Sequence, residues 1–527
     1  MRMRIVLLVA ILAADLVTPA LATELVRGPY VQMLGEAGFT LRWRSDVAVS
    51  SRVSFGLSRD ALLETVSSAG LRTEHELEIV GLPAYSEVWY SVGVVGGEFD
   101  SGADTFSVRT ALPPNFAQPL RVWALGDSGL PGPDQRAVFD AYRGWASYRV
   151  PDVWLLLGDN AYDFGTDTEY QAALFEPYAA LLPRCAVWPV RGNHDALHPD
   201  GNDDYFDFFT LPVAAELGGV PSGTESWFSF DQGDVHFVVL DTYGALTSLP
   251  NPMFDWLVQD LASHDRTWTI VATHYGPYSK GSHDSDLDWH MTRVREDFVP
   301  VFDAGGVDLV LSGHSHGYER SVLLNGHIGL STSLDPGEVL DGGDGRREGD
   351  GVYRKPTPGR AANEGVVYVV AGASSRVGSG SYDHPVMWQS EPTLGSFVFD
   401  VDGLRLDARY LDATGYTHDH FSMEKGAVVA VAPGLEERGI HLESTRLRIG
   451  SRVECVGPAQ AEWSLEVFDL RGRRLRSIPL GAAGGERRTV TWDGRDDRGE
   501  ALARGTYLLR LVAADRTLAT SRVAYLR

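Results

Sequence analysis

Five short polar segments, each following a run of apolar residues, constrain this sequence more than any other feature. The apolar runs are nearly continuous rather than alternating, which is typical of strands buried on both faces of a sheet. Between them, residues 254–261 and 293–302 carry apolar residues at helical spacing, and this alternation indicates βαβ architecture. We therefore expect an α/β domain over residues 118–427. Its main strands are expected at 122–125, 153–157, 186–190, 235–240, 269–272 and 307–311.

The polar segments hold most of the candidate metal ligands of the chain. They are Gly126-Asp127-Ser128-Gly129, Gly158-Asp159-Asn160-Ala161-Tyr162, Gly192-Asn193-His194-Asp195, Val271-Ala272-Thr273-His274 and Gly313-His314-Ser315-His316. Each alone is typical of a turn, where Asp bonds its own backbone and Gly adopts unusual dihedrals. Turn chemistry does not explain four His and an Asn at five strand ends. Because open α/β sheets bind ligands beyond the carboxyl ends of their strands, we expect the segments to converge.

The residue types in these segments predict two metal ions. Carboxylates and a phenolate suit a hard trivalent ion, whereas imidazoles and an amide suit a borderline divalent one. His314 and His316 project to one side of extended backbone, so they can serve two adjacent ions. Asp159 has two carboxylate oxygens and could bridge both ions. Tyr162, three residues later, can bind the same ion as Asp159. Ions about 3.5–4 Å apart in such sites clamp the attacking and leaving oxygens of phosphoryl displacement.

The five segments, in this order, resemble the five motif blocks of the purple acid phosphatases, a group within the calcineurin-like metallophosphoesterases. The resemblance covers about residues 24–425, with a sandwich domain preceding the catalytic domain. It implies a central metallophosphoesterase β-sandwich flanked by helices and an acid phosphatase that hydrolyses small-molecule phosphomonoesters by attack of metal-bound hydroxide. The Fe(III) ligands that it implies are Asp127, Asp159, Tyr162 and His316. The ligands that it implies for a second, divalent ion (Zn, Fe or Mn) are Asp159, Asn193, His274 and His314.

The resemblance also implies two catalytic histidines. His194 would contact the phosphate and help to protonate the leaving group. Plant members have a His-His pair nine and ten residues after the fourth-block His, and the matching residues here are His283 and Asp284. One half of the pair is missing, so the leaving-group acid and the substrate range stay open. For His283, a plain solvated loop is the alternative interpretation.

Two other functions stay open. The first is a phosphodiesterase or nucleotidase on the same scaffold, and the second is a noncatalytic surface binding protein. Tyr162 favours the phosphatase over the first, and the full set of seven ligands argues against the second.

The segments that flank the α/β domain have their own signatures. Residues 1–22 combine a basic start, a ten-residue apolar run and a small-residue cleavage site, which is typical of a secretory signal. Neither this run nor any later one is long enough to span a bilayer, which needs about 20 apolar residues. Short alternating runs predict a fibronectin- or Ig-like β-sandwich over residues 23–112. A β pattern over residues 440–527, with motifs at 467–472, 491–496 and 505–507, resembles the Ig-like module of the flagellar hook-capping protein.

The charge distribution sets the last module apart. The chain has 46 Lys+Arg and 71 Asp+Glu, and its acidity argues against nucleic-acid partners. Residues 441–527 alone carry 16 Arg against 11 acidic residues. Related modules end many secreted bacterial proteins, which implies an extracytoplasmic location (secreted, periplasmic or cell surface), a bacterial source and contact with the cell surface or the secretion machinery. We expect Cys185 and Cys455 to be free because they lie in different domains.

Residues 332–364 depart from the pattern around them. They are rich in Gly, Asp, Arg and Pro, a composition that buries little apolar surface. We expect a long surface loop there, and its nearness in sequence to His316 favours a role at the rim of the site.

Overall fold

A computed structural model gives the architecture of the chain. It describes residues 23–426, except 98, 100–103, 117, 202 and 246–250, and residues 439–525, except 443–445, 448, 457–461, 470–472, 482–486 and 514–515. The expected secretory signal at residues 1–22 lies outside the described residues. The chain divides into two compact units, Met1–Gly426 and Ala427–Arg527. The finer division of the first unit near residues 112 and 118 stays a prediction.

The first unit begins with one antiparallel sheet of five strands. They are β1 (Leu25–Gln32), β2 (Gly38–Gly56), β3 (Glu64–Val80), β4 (Glu87–Gly93) and β5 (Phe106–Arg109). The first half of β2 pairs with β1 and its second half with β4, while β3 follows β2 along both halves. The strands predicted for this segment are therefore present, and the sandwich itself stays a prediction.

Two seven-stranded sheets follow in the rest of the first unit. Their strands and those of a small hairpin are β6 (Leu120–Leu125), β7 (Val153–Leu156), β8 (Val187–Pro189), β9 (Phe228–Gln232), β10 (Val235–Leu240), β11 (Trp268–Thr273), β12 (Leu309–Ser312), β13 (Tyr318–Ser321), β14 (Leu323–Leu324), β15 (Val339–Asp341), β16 (Tyr353–Lys355), β17 (Val367–Ala371), β18 (Met387–Glu391), β19 (Gly395–Asp402), β20 (Arg405–Asp412) and β21 (Thr417–Lys425). One sheet has the order β16-β21-β20-β19-β6-β7-β8, and the other has the order β18-β13-β17-β12-β11-β10-β9. Strands β6, β7 and β8 are parallel in the first sheet, as are β17, β12, β11 and β10 in the second.

In the described part of this unit, six α-helices connect these strands. They are α1 (Pro133–Trp145), α2 (Asp167–Tyr170), α3 (Asp204–Phe208), α4 (Pro252–Ser263), α5 (Trp289–Arg293) and α6 (Val299–Gly305), with π-helical turns at Gln171–Phe175 and Val294–Phe298 and 3-10 turns at His194–Ala196, Ser331–Ser333 and Pro336–Glu338. Asn251 caps the start of α4, and its side chain accepts a hydrogen bond from the amide of Met253. Helix α6 ends at Gly306, which adopts the left-handed conformation with φ of 71°. Both helical stretches that the apolar spacing predicted are present.

The central strands are buried on both faces. On β10, Phe237 and Val239 pack into a core that residues of both seven-stranded sheets share. The alternate residues Val238 and Leu240 pack in a second core with side chains of α4 and α6. This two-sided burial explains why the strand sequences are nearly continuous apolar runs.

The prediction of a surface loop at residues 332–364 is wrong in part. The stretch contains β15 and β16, and Tyr353 and Lys355 of β16 are buried. The ammonium of Lys355 lies 2.5 Å from a carboxylate oxygen of Asp308, directly before β12, and donates to the carbonyl of Gly365 at 2.8 Å. These contacts lie at the amino end of β12, away from the polar segments at its carboxyl end. The composition of the stretch hid the short strand that pairs with β21.

The second unit has a core of its own. Its strands are β22 (Gly439–Leu442), β23 (Arg446–Leu447), β24 (Arg452–Val456), β25 (Trp463–Phe468), β26 (Arg474–Gly481), β27 (Arg487–Thr491), β28 (Gly505–Ala513) and β29 (Arg516–Tyr525). They form sheets of three strands (β22-β24-β27) and five strands (β23-β29-β28-β25-β26). Val453 of the first sheet and Leu465 of the second belong to one hydrophobic cluster, as an Ig-like module requires. Cys185 and Cys455 are both buried and free. Within the described residues, no helix has the length and apolar character needed to cross a membrane.

Candidate metal centre

The five polar segments follow the carboxyl ends of five parallel strands. Asp127 follows β6, Asp159 follows β7 and Asn193 follows β8, all in one sheet, whereas His274 follows β11 and His314 follows β12 in the other. Parallel strands of one sheet end at the same edge, so each sheet gathers its own group of polar side chains. The distance between Asp159 and His274 shows that the two groups meet.

Glycines in the motifs allow the segments to approach one another. A Cβ atom at Gly192 would lie 2.3 Å from Oδ1 of Asp159, which no real side chain could accept. At Gly158, which has φ of +89°, a Cβ atom would lie 2.4 Å from Nδ1 of His274. The glycines therefore serve close packing as well as turn geometry.

Three of the predicted ligands converge on the phenol of a fourth, Tyr162. The hydroxyl of Tyr162 donates to Oδ2 of Asp159 at 2.9 Å and lies 3.0 Å from Oδ1 of Asp127. Nε2 of His316 lies 3.3 Å from the same Asp127 oxygen and 3.5 Å from the phenol oxygen. All four side chains are buried. These residues form the set that the resemblance assigns to Fe(III).

The predicted ligands of the divalent ion adjoin this set through Asp159. Nε2 of His274 lies 3.4 Å from Oδ1 of Asp159 and 3.0 Å from Oδ1 of Asn193. Nδ1 of His274 donates to the carbonyl of Leu157 at 2.9 Å, which leaves Nε2 as the nitrogen that faces the cluster. Asp127, Asp159 and His274 each present a ligand atom within 4.8 Å of the others.

His314 borders this group and contacts a residue that the motifs did not include. Its Nε2 lies 3.2 Å from Oδ2 of Asp288, and its ring lies 5.2 Å from that of His274. Asp288 also caps α5, accepting hydrogen bonds from the amides of His290 and Met291. Burial, with the nearby His274 and His283, lowers the pKa of His314 to about 4 despite Asp288. A neutral imidazole is the form that binds metals. An Asp before a helical run is a common N-cap, which is the sequence signal that could have identified Asp288.

The two predicted catalytic histidines adjoin the cluster at different ligands. Nδ1 of His194 donates to the carbonyl of Asp163 at 2.7 Å, and its Nε2 lies 4.0 Å from Oδ2 of Asp159. The His194 side chain keeps 27% of its surface exposed, so solvent and solutes can reach it. The ring of His283 lies 3.9 Å from that of His314, so His283 is half-buried against the cluster rather than in a solvated loop.

Asp284 follows His283 and occupies the position of the second histidine of the plant pair. It contacts Lys280 instead of the cluster. Its carboxylate lies 2.6 Å from the ammonium of Lys280. It therefore supplies no positive charge to the cluster, and its own negative charge is already paired.

Two further residues shape the site. Asp195 is fully buried and accepts hydrogen bonds from the amides of Asn160 and Gly192 at 2.9 and 2.8 Å, which ties the segments after β7 and β8 together. Burial and the nearby Asp159 raise the pKa of Asp195 to about 6. Arg376 lies beside Tyr162 and His316, 60 residues beyond the last motif, and no sequence pattern marked it.

The donor set fits metal ions. Burial alone would raise the pKa of Asp127, but the adjacent imidazole of His316 and those of His274 and His314 hold it below its usual value. Burial and the two carboxylates raise the pKa of the Tyr162 phenol well above its usual range. Buried carboxylates are retained in proteins when cations pair with them or when they coordinate metals. Two carboxylates, a phenol, an amide and three imidazoles in one largely buried cluster are the ligands expected for a hard ion beside a borderline one.

Comparison with known families agrees with this site. Residues 120–318 match the calcineurin-like phosphoesterase family, and residues 450–516 match the FlgD Ig-like domain. The chain thus carries a calcineurin-like phosphoesterase domain over residues 120–318 and a FlgD Ig-like domain over residues 450–516. The buried cluster of Asp127, Asp159 and His274, which could hold a metal ion, lies within the range that matches the phosphoesterase family.

Purple acid phosphatases are homologues of this chain, which confirms the resemblance that the five motifs indicated. Purple acid phosphatase 18 of Arabidopsis thaliana is 30% identical over 214 residues, which cover 39% of this chain and 46% of that protein. Purple acid phosphatase 15 of the same plant is 24% identical over 317 residues, covering 54% and 56%. Acid phosphatase A of Cryphonectria parasitica is 25% identical over 325 residues, covering 51% and 62%. The chain spans about half the length of the curated relatives it matches.

A solved structure shares the fold. Purple acid phosphatase PPD1 from yellow lupin seeds superposes with a TM-score of 0.55 at 16% identity, covering 76% of this chain and 74% of that one. The PhoD structure gives a TM-score of 0.52 at 14% identity, covering 76% and 90%. At these identities the superpositions establish the fold alone.

Proposed function

We propose that this chain is an acid phosphatase that hydrolyses small-molecule phosphomonoesters at a two-metal centre. The observation that carries the proposal is that five strand-end segments meet. Their meeting places Asp159 between Tyr162 and His274. Asp127, Asp159, Tyr162 and His316 would hold Fe(III). Asp159, Asn193, His274 and His314 would hold a divalent ion (Zn, Fe or Mn). Metals of this kind polarise phosphoryl oxygens and lower the pKa of water.

His194 is the candidate for the proton that the leaving group needs. Its Nδ1 is occupied by the carbonyl of Asp163, so Nε2 is the nitrogen left to face a bound phosphate. In its doubly protonated form, His194 would donate from Nε2 to the leaving oxygen as the bond of that oxygen to phosphorus breaks. His283 packs on His314 and would contact the substrate from the opposite group of ligands.

The location and partners belong to the same proposal. The signal-like residues 1–22 support an extracytoplasmic protein, and the match to the FlgD Ig-like domain supports a bacterial source. We assign the C-terminal module no catalytic role and propose that it contacts the cell surface or the secretion machinery. Fractionation of the native source would test this, with enzyme confined to the cytoplasm as the contradicting result.

Metal analysis and paired substrate assays test the function. We expect purified protein to contain iron and a second metal, and to hydrolyse p-nitrophenyl phosphate faster than bis(p-nitrophenyl) phosphate at acidic pH. A preference for the bis-ester would establish the phosphodiesterase alternative. Protein that folds but retains neither iron nor a second metal, and hydrolyses neither ester, would establish the noncatalytic one.

A further inference from the structure

The side chain of Arg376 reaches the predicted metal ligands from a segment outside all five motifs. The segment follows β17 and is fixed to the first and last motifs by backbone hydrogen bonds. The amide of Ser374 donates to the carbonyl of Gly126 at 3.1 Å, and that of Gly378 donates to the carbonyl of His316 at 2.7 Å. Arg376 is therefore held by ordered backbone that lies between two ligand-bearing segments.

The guanidinium of Arg376 contacts an imidazole and an aromatic face. Nη2 and Nε lie 3.0 and 3.3 Å from Nε2 of His316, and Cζ lies 4.4 Å from the ring centroid of Tyr162. Within the described part of the chain, these contacts include no carboxylate. Other half-buried or buried arginines of the same unit differ: Arg191 pairs with Asp203 and Asp241, and Arg320 pairs with Asp419.

Metal binding would release this guanidinium. The atom that accepts its hydrogen bonds, Nε2 of His316, is also the proposed metal donor, and one nitrogen lone pair cannot serve both. Metal cations repel a guanidinium that has no carboxylate partner, and a bound anion offsets this repulsion. Guanidinium groups match the planar, bidentate geometry of phosphate oxygens better than any other side chain.

We propose that Arg376 binds the phosphate group of the substrate and of the inorganic phosphate product. This inference rests on the proposed phosphatase function and adds a specificity-determining residue to it. It also accounts for a gap in the site, since Asp284 replaces a histidine of the plant pair and is held by Lys280. Arg376 supplies a positive charge at the cluster from a different part of the chain.

The test uses the metal-loaded full-length protein and three variants. Arg376→Met keeps the chain length and removes the guanidinium, and Arg376→Lys keeps a charge without the bidentate fork. Arg405→Met is the matched control, because Arg405 is exposed and pairs with Asp407 away from the cluster. The measurements are inorganic phosphate affinity by calorimetry, KM and kcat with p-nitrophenyl phosphate, and metal content.

We expect Arg376→Met to weaken inorganic phosphate binding and to raise KM by about 10- to 100-fold, the range for a lost charged hydrogen-bonding group. Metal content should be unchanged, Arg376→Lys should be intermediate, and the control should match wild type. Unchanged phosphate affinity in both Arg376 variants would overturn the proposal. So would a loss of metal in Arg376→Lys that accounts for its weaker phosphate binding, because Arg376 would then only position His316 and Tyr162. A wild-type protein that binds metals and phosphate but lacks phosphatase activity would refute the proposed function and leave the phosphate assay to decide the role of Arg376.

Discussion

The hydroxyl of Tyr162 donates a hydrogen bond to Oδ2 of Asp159, 2.9 Å away. The other oxygen of that carboxylate, Oδ1, accepts from the amide of His194 at 2.9 Å and lies 3.4 Å from Nε2 of His274. One buried carboxylate thus faces the Tyr162 phenol with one oxygen and the His274 imidazole with the other. The separate oxygens of Asp159 contact the Tyr162 phenol and approach the His274 imidazole, which places Asp159 well to bridge two ions.

Replacing Asp159 tests the bridge. We expect Asp159→Ala to lose both metals and to reduce kcat/KM by more than about 100-fold, because loss of a direct ligand should exceed the effect of losing an outer partner. Metal analysis of the folded variant is the measurement, and Asp140→Ala on the exposed face of α1 is the control. One ion retained at full occupancy would contradict a shared ligand.

The sequence predicted the site residues at the strand ends better than it predicted those that reach the site from other loops. Apolar runs such as 235–240 identify strands with two buried faces, and polar residues directly after them identify the site. Asp288 and Arg376 escape this reasoning, since each reaches the cluster from a loop whose path depends on tertiary packing. The buried β16 escaped for a related reason: its burial comes from pairing with β21, about 70 residues later, and not from local composition.

A buried ion-pair network away from the metal centre gives a stability prediction. His236 is fully buried, with Nδ1 2.7 Å from Oδ1 of Asp231 and Nε2 2.9 Å from Oδ2 of Asp260. Arg266 also pairs with Asp231, and the ring of His264 stacks on that of His236 at 3.9 Å. We expect His236→Leu to lower the free energy of unfolding at pH 6 by about 3–5 kcal/mol, because it leaves a buried carboxylate without its partner.

The same network predicts a pH dependence. Burial lowers the pKa of His236, but the hydrogen bonds with Asp231 and Asp260 outweigh it and raise the pKa above its usual value. The stabilisation is complete below the unfolded pKa of about 6.5 and is lost as pH rises through the raised folded pKa. Denaturant titrations from pH 6 upward should therefore show this loss in wild type and not in His236→Leu. As a control, His418→Ala, at a partly exposed pair with Asp412, should change the unfolding free energy by less than about 1 kcal/mol. Identical pH profiles for wild type and His236→Leu would contradict the assignment.

Removal of the C-terminal module should leave catalysis intact. No predicted ligand lies beyond His316, and the module has its own hydrophobic core around Trp463 and Trp492. We expect a chain that lacks residues 440–527 to keep kcat and KM within about twofold of the full-length values, since surface changes away from a site have small effects. A collapse of turnover in a folded, fully metallated truncation would show that the module supports the active site.

The phenol of Tyr162 gives the most specific prediction. If its oxygen binds Fe(III), electron density can shift from phenolate to iron when visible light is absorbed, and the purified protein should be violet. Tyr162→Phe keeps the ring beside His194 and removes the oxygen that now contacts Asp127 and Asp159. We expect the variant to lose the visible band even where iron remains bound, with a stability loss of only about 1 kcal/mol per lost hydrogen bond. Absorption spectra recorded with iron analysis are the measurement, and Tyr275→Phe, which removes a neighbouring hydroxyl bonded to Asn193, is the matched control that should keep the band. A wild-type protein that holds ferric iron without such a band, or a Tyr162→Phe protein that retains it, would show that this phenol packs beside the metals without binding them.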